Sequence, residues 1–174
     1  MKPETEIETP RLVIRSWRKT DRDATVAMWC DPENGKYMTE PVMENVDEKY
    51  LSLVDTLEDE PDGYNFFVEL KDGGNRIPVG TCCAFPEEGN NYDIGYCIAK
   101  DYWKEGLGTE MISALIGWIR ERGGTSVTGE IADDNKGSVG LARKLGFKED
   151  RKTRYKKRGE ETYFDAHYYK RELR

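Results

Sequence analysis

Two glycines, Gly106 and Gly108, stand at the start of an apolar-periodic segment that runs to Arg120. Glycine lets the backbone approach a ligand closely, and the free N–H groups at a helix start lie at the positive end of the helix dipole. A phosphate or pyrophosphate suits such a place. The segment predicts an anion site on the amides from Lys104 to Thr109, with the Lys104 side chain adding charge at its rim, unless the glycines only form a tight strand-to-helix turn.

A second segment downstream combines a strand ending near Ala132 with a helix beginning near Asn135. Asn is a favoured N-cap because its side chain accepts a hydrogen bond from the first turn, and Gly146 is a typical helix stop. The apolar face of this helix consists of Val139, Leu141, Ala142 and Leu145. Glu130, five residues before the cap, is either a carboxylate with a chemical role or a solvated strand residue.

Together the two segments resemble the GNAT superfamily of N-acetyltransferases. The loop Trp103-Lys-Glu-Gly-Leu-Gly108 is similar to that family's Gln/Arg-x-x-Gly-x-Gly/Ala loop, and Asn135-x-x-Ser138 leading into Lys144-Leu-Gly-Phe147 is similar to its next motif. The stretch from Ile7 to Ala24 resembles the branch of ribosomal-protein N-terminal (alanine) acetyltransferases. The resemblance implies acetyl-CoA-dependent N-acetylation of a primary amine, by direct transfer in a ternary complex.

The resemblance also implies where acetyl-CoA, the cosubstrate, would bind. In the family, the strand before the glycine loop splays from its parallel neighbour and binds the pantetheine arm through backbone groups, and the thioester oxygen would face an amide near Cys97 or Ile98. Trp103 replaces the usual Gln or Arg, which we expect to exchange a polar contact for packing. No metal is implied. The implied cofactor-binding residues are Tyr96, Cys97, Ile98, Trp103, Lys104, Glu105, Gly106, Leu107, Gly108, Thr109, Asn135 and Ser138.

Removing a proton from the attacking amine calls for a base, since an aliphatic ammonium has a pKa of about 10. Glu130 is the first candidate, because N-terminal acetyltransferases that resemble this chain carry a proposed base at that place. Asp93, at the start of the fourth strand, is the second candidate, and Glu69 is the third. The chain has 34 acidic residues, so some carboxylate is expected near any site whether or not it has a chemical role.

Protonation of the leaving thiolate has a less obvious candidate. Many GNAT enzymes use a Tyr seven residues after the motif Asn, where this chain has Ala142. In the resembling branch the motif Ser is a candidate, so Ser138 takes this role as a hypothesis, either as proton donor or as a partner that orients the thiol while water supplies the proton.

The missing Tyr leaves an alternative open, namely a non-catalytic acyl-CoA-binding domain that serves as a sensor or scaffold. A dinucleotide-binding oxidoreductase is disfavoured, because Gly106-Leu-Gly108 lacks the third glycine and the parallel βαβ context on its amino side.

The elements that must position these residues indicate an α/β (α+β) fold. We expect residues 1–174 to form a single GNAT domain, with one mixed, mostly antiparallel sheet of about seven strands, about four helices and a splayed parallel strand pair. Alternating and 3.6-residue apolar patterns place the elements. Strands are expected near 12–17, 64–70, 77–85, 92–99, 126–132, 147–156 and 162–170. Helices are expected from Thr20 to a stop at Asp31-Pro32 and near 46–57, 106–122 and 135–144. The basic run 151–158 is expected to be a solvated hairpin.

Composition and charge limit the classes of partner. A chain of 174 residues, 37% of them hydrophobic, suits one domain with a substantial core. The net charge of −7 disfavours nucleic acid and anionic membranes and favours an amine acceptor, such as a protein N-terminus or a small amine, although solubility also explains an acidic surface. The four cysteines are expected to be reduced core residues. Without a signal peptide or long apolar run, we expect a soluble, cytoplasmic monomer or homodimer.

Overall fold

The computed structural model describes residues 6–173, which form one eight-stranded sheet with four α-helices on its two faces. Strands and helices are numbered separately in chain order. The strands are β1 (Ile7–Glu8), β2 (Leu12–Ser16), β3 (Tyr64–Asp72), β4 (Asn75–Pro86), β5 (Asn91–Ile98), β6 (Ser126–Ala132), β7 (Lys148–Lys156) and β8 (Tyr163–Glu172). The helices are α1 (Arg22–Trp29), α2 (Glu48–Asp55), α3 (Leu107–Glu121) and α4 (Lys136–Lys144).

The strands follow the order β1-β2-β3-β4-β5-β6-β8-β7 across the sheet, and every neighbouring pair is antiparallel except β5 with β6. This confirms the expected mixed, mostly antiparallel sheet with one parallel pair. The strand beyond the expected seven is β1, whose two residues pair with Ile14 and Val13 of β2. Two residues are too few to show a period of two, so the apolar pattern does not indicate this strand.

Helices α3 and α4 cover one face of the sheet. The residues of α3 that meet the sheet recur every three or four positions and are at most 4% exposed: Leu107, Met111, Ile112, Leu115, Ile116, Trp118 and Ile119. Burying a side chain of this size contributes about 1.5–3 kcal/mol. The apolar face of α3 therefore holds the glycine loop at its amino end in a defined place on the sheet.

Helices α1 and α2 lie on the opposite face, where the second apolar cluster includes Trp17 and Phe67. A buried ion network on this face joins Arg15 to Asp21 at 2.8 Å and to Glu69 at 3.0 Å. Glu69 lies on β3, two strands away from β5, and is bound by Arg15 of β2, so it stands apart from the other candidate bases.

The parallel strands β5 and β6 pair over a short length and then separate. Their ladder runs from Asn91 opposite Ser126 to Asp93 opposite Thr128. Helices α3 and α4 follow the carboxyl ends of these two strands. In a parallel pair those ends lie at the same edge of the sheet. The opening between the strands, which we call the cleft, and the amino ends of both helices therefore lie together.

Candidate active site

The start of α3 has the geometry of an anion site. Gly106 is the N-cap residue and adopts the left-handed conformation, with φ of +82°. The first bond of the helix runs from the Glu110 amide to the Gly106 carbonyl at 3.1 Å, so the amides of Leu107, Gly108 and Thr109 precede the intrahelical ladder. Such amides are available to oxygen atoms of a phosphate. The Leu107 side chain itself is buried, so this residue can offer a ligand only its backbone.

Arg11, at the end of the turn between β1 and β2, supports this loop and was not among the sequence-based candidates. Its Nη1 donates to the Glu105 carbonyl at 2.9 Å, and its Nε donates to the Glu110 carboxylate at 2.6 Å. The Glu110 carboxylate also accepts from the Thr9 hydroxyl at 2.6 Å. Arg11, paired with Glu110, thus links the turn after β1 to the glycine loop and the first turn of α3, a contact between residues more than 90 positions apart that no local pattern indicates.

Gly108 has a packing role that the sequence did not suggest. A Cβ atom added at this position would lie 2.8 Å from Cδ1 of Leu141 on α4. The absence of a side chain therefore allows α3 and α4 to approach each other near the cleft. Close packing of the two helices is a reason for glycine at this position in addition to any contact with a phosphate.

The register of β4 with β5 decides which backbone groups face the cleft. The Ala99 amide donates to the Val79 carbonyl at 2.9 Å, while Cys97 pairs with Thr81. In an antiparallel ladder the hydrogen-bonding direction alternates from residue to residue. The Cys97 amide is therefore directed toward β4, and the backbone groups of Tyr96 and Ile98 are directed into the cleft. Of the two amides expected near the thioester oxygen, the one that faces the cleft is that of Ile98.

The expectation that Trp103 exchanges a polar contact for packing is wrong. The indole Nε1 donates to the Ile98 carbonyl at 2.6 Å, while the residue remains 44% exposed. Because the Ile98 carbonyl faces the cleft, the indole N–H satisfies a strand group that has no neighbouring strand. Trp103 thereby makes a polar contact and ties the glycine loop to the end of β5.

The amino end of α4 lies on the other side of the cleft. The Asn135 side chain accepts from the Ser138 amide at 3.2 Å, which confirms Asn135 as the N-cap. The Tyr96 hydroxyl, on β5, lies 3.0 Å from the Ser138 hydroxyl. Ala142, one turn further along α4, is buried in the apolar core. The structure thus brings two hydroxyl groups together. The sequence predicted a chemical role for the Ser138 hydroxyl but not for the Tyr96 hydroxyl.

The first two candidate bases lie on the same face of the sheet. Tyr92 on β5 and Val127 on β6 belong to the apolar cluster beneath α3 and α4. Since side chains alternate along a strand, Asp93 and Glu130 lie on the opposite face, where α1 and α2 pack. The hydroxyl of Thr128, which lies on β6 opposite Asp93 and two residues before Glu130, donates to Asp93 at 3.3 Å. Both carboxylates therefore lie beside the cleft but away from the α3 amino end.

Asp93 has the chemical character of a base near neutral pH. Burial raises its pKa to about 6, and the negative charges of Glu87 and Glu130 act in the same direction. The hydrogen bond from Thr128 and the charge of Arg151 oppose this rise. A carboxylate with this pKa is ionised at pH 7 yet holds a proton more readily than an ordinary aspartate, as general-base catalysis requires.

A loop between α1 and α2 borders the same face and is held by Lys157. The Lys157 ammonium donates to the carbonyls of Gly35, Met38 and Glu40 at 2.7, 3.0 and 2.9 Å. The hairpin expected for the basic run is present, and most of the run is exposed. Lys157, however, is only 5% exposed and is not part of a solvated turn. Burial lowers the pKa of its ammonium group.

Comparison with known proteins places this geometry in a family. Residues 11–148 match the family model described as an acetyltransferase (GNAT) domain. The chain belongs to the GNAT acetyltransferase family. This GNAT chain is 28% identical over 148 residues to the uncharacterized N-acetyltransferase YoaA of Bacillus subtilis, a match that covers 83% of each chain.

Solved structures share the GNAT fold. An acetyltransferase (GNAT family) from Bacillus anthracis matches with a TM-score of 0.81 and 23% identity, over 97% of this chain and 98% of the other. Spermidine N-acetyltransferase from Vibrio cholerae, in complex with CoA and spermine, matches with a TM-score of 0.78 and 16% identity, over 94% and 96% of the two chains. The family assignment makes the protein an acyltransferase of the N-acetyltransferase class.

Among residues 6–173, no helix has the length and apolar character needed to cross a membrane. Within the same residues, no group of three or more His, Cys, Asp or Glu side chains is placed to hold a metal ion. All four cysteines are free thiols, with Cys82 and Cys97 buried and Cys30 and Cys83 partly buried.

Proposed function

We propose that this protein transfers an acetyl group from acetyl-CoA to a primary amine, by direct transfer in a ternary complex. The observation that carries the proposal is the cleft between β5 and β6, which has the amino end of α3 on one side of the sheet and two carboxylates on the other. The first side can hold a phosphate-bearing donor, and the second can accept a proton from an amine. We also propose that the chain acts as a single transferase domain.

The residues of the cleft fit the donor. Amides at the start of α3 and the nearby Arg11 guanidinium would hold the pyrophosphate. The exposed edge of β5 at Tyr96 and Ile98 would pair with the amide groups of the pantetheine arm as a neighbouring strand would. The Ile98 amide would then stabilise the negative charge that develops on the thioester oxygen.

Proton removal from the amine is assigned to Asp93 in this proposal. Its raised pKa, its position where the strands separate and its hydrogen bond with Thr128 all support that role. Glu130, the first candidate from sequence, lies on the same face and raises the pKa of Asp93 through its charge. The amine nitrogen, once neutral, would attack the thioester carbon. The carbon–sulfur bond would then break with the electron pair remaining on sulfur, and the nitrogen would release its second proton to water as the amide forms.

The acceptor is proposed to be a cationic amine. Glu87 and Glu130 are close enough to act on the charge of the proposed base, and Tyr168, with Arg151 stacked at 4.0 Å over its ring, is influenced by the same carboxylates. Tyr168 pairs with Glu130 across β6 and β8. The chain carries a net charge of −7, which favours approach of a cation. A polyamine belongs in any test panel because a structurally similar protein is a spermidine N-acetyltransferase.

The test is a thiol-release assay with acetyl-CoA and a panel of polyamines, aminoglycosides and peptides with free N-termini. We expect thiol release that requires an amine, with the acetylated amine identified by mass spectrometry. Asp93→Asn provides the matched control, because it keeps the size of the side chain and removes the proton acceptor. Tight CoA binding with no release for any amine would instead support the alternative, an acyl-CoA sensor or scaffold.

A further inference from the structure

Two hydroxyl groups meet across the cleft from its opposite walls. The Tyr96 hydroxyl on β5 lies 3.0 Å from the Ser138 hydroxyl on the first turn of α4. The Tyr96 ring packs against the apolar core, and the Ser138 amide is bound by the Asn135 cap. Both hydroxyls are therefore held in place by groups outside the pair, as a precise chemical role requires.

The acidity of the two groups sets the direction of their hydrogen bond. A phenol is a stronger acid than an aliphatic alcohol, so the Tyr96 hydroxyl is the better donor and the Ser138 oxygen accepts. The hydrogen of Ser138 is then free to point to a third atom. Ala142, which lies one helical turn after Ser138, offers no hydroxyl of its own.

We propose that Tyr96 is a positioning residue that acts through Ser138 to supply the proton for the leaving thiolate, an inference that rests on the proposed acetyl transfer. When the carbon–sulfur bond breaks, the Ser138 hydrogen moves to sulfur while the Tyr96 hydrogen moves to the Ser138 oxygen. The resulting phenolate then takes a proton from water, which restores both hydroxyls, and the proton that the amide nitrogen releases to the solvent neutralises the hydroxide left behind.

Burial keeps the phenol in its protonated form. It raises the pKa of Tyr96 above its usual value of 10, and the opposing effect of the Ser138 hydrogen bond is smaller. The phenol therefore remains protonated at the mildly alkaline pH where amine acceptors become neutral. The proton donor for the thiolate is therefore present at the same pH at which the neutral amine is most abundant.

The decisive experiment uses CoA bound to the enzyme without an acceptor, and follows ionisation of its thiol by the ultraviolet absorbance of the thiolate. We expect Tyr96→Phe and Ser138→Ala each to raise the pKa of the bound thiol by about one unit, because each weakens hydrogen bonding to a charged sulfur. The double variant should show no larger change than Ser138→Ala, since the two groups act in series. Tyr64→Phe, which removes a hydroxyl from the same core cluster on β3, is the control and should behave as wild type.

Turnover gives a second measurement. We expect Tyr96→Phe to lower kcat by about 10- to 100-fold, below the upper range for general acid catalysis because water can replace the phenol. The KM for acetyl-CoA should stay within about two-fold of wild type, whereas a loss of packing alone would raise KM and leave kcat intact.

The possible failures are distinguishable. An unchanged pKa of the bound thiol in Tyr96→Phe would overturn the relay while leaving acetyl transfer in place. A double variant whose fold-loss in kcat equals the product of the two single-variant fold-losses would do the same. A responsive thiol without transfer to any amine would uphold the contact of the hydroxyl pair with sulfur and overturn the proposed reaction. A wild-type protein that binds no CoA would overturn both.

Discussion

Substitution of Asp93 by Asn tests both the energetics and the chemistry of the cleft. Burial raises the pKa of this carboxyl from 3.8 to about 6 in the folded protein. Between these two pH values the folded state binds more protons than the unfolded state, so the stability of the wild type falls as the pH rises through that window. At about 1.4 kcal/mol per pKa unit, the ionised carboxylate costs the fold up to about 3 kcal/mol above pH 6.

Asp93→Asn removes that cost while keeping the shape of the side chain. We expect the free energy of unfolding of the variant to exceed that of wild type by up to about 3 kcal/mol at pH 8, and to match it near pH 4. Urea denaturation at the two pH values measures this difference. Equal stabilisation at both values would show that the effect does not come from ionisation of Asp93.

The same variant should lose activity in a pH-dependent way. The wild-type kcat/KM should rise with pH through an acid limb near pH 6, and Asp93→Asn should lack this limb and turn over about 100- to 10,000-fold more slowly. In Glu130→Gln the limb should persist but move to lower pH, because the charge of Glu130 contributes to the raised pKa of Asp93. If Glu130→Gln instead abolishes the limb, the base is Glu130, as the sequence resemblance suggests.

Three other predictions concern the loops around the cleft. Arg11→Ala should raise the Kd for CoA about 10-fold in calorimetry with little change in kcat, because a hydrogen bond to a charged group is worth about 1.5–3 kcal/mol. Arg76→Ala, which changes an exposed arginine on β4, is the control and should leave the Kd unchanged. Lys157→Met should lower the free energy of unfolding by about 2 kcal/mol or more, since it leaves three carbonyls without their donor, while Lys156→Met at the exposed neighbouring position should have an effect near zero. A hundred-fold excess of acetyl-CoA over its Kd should stabilise the wild type by about 2.7 kcal/mol in thermal unfolding, and equal stabilisation by NADH would contradict the assignment of the donor.

Local patterns in the sequence predicted most of the fold, because helix and strand periodicity and the turn residues act over a few positions. They also placed the glycine loop and the Asn135 cap, whose geometry depends on neighbouring residues. The contacts of Arg11 and Lys157 join residues roughly 90 to 120 positions apart, so no local pattern reveals them. The hydrogen bond of Trp103 depends on which edge of β5 faces the cleft, and that is decided by the register with β4.

The alternation of side chains along β5 explains how one cleft can support two proton transfers, one from the amine and one to the thiolate. Asp93 and Tyr96 are three residues apart, and an odd separation directs two side chains to opposite faces of a strand. Tyr96 accordingly packs with the cluster beneath α3, while Asp93 lies on the face of α1 and α2. The group proposed to take a proton from the amine is thus separated by the sheet from the groups proposed to deliver one to the thiolate. The proton acceptor for the amine and the proton donors for the thiolate can therefore act on one thioester from opposite faces of the sheet, without a direct hydrogen bond between them.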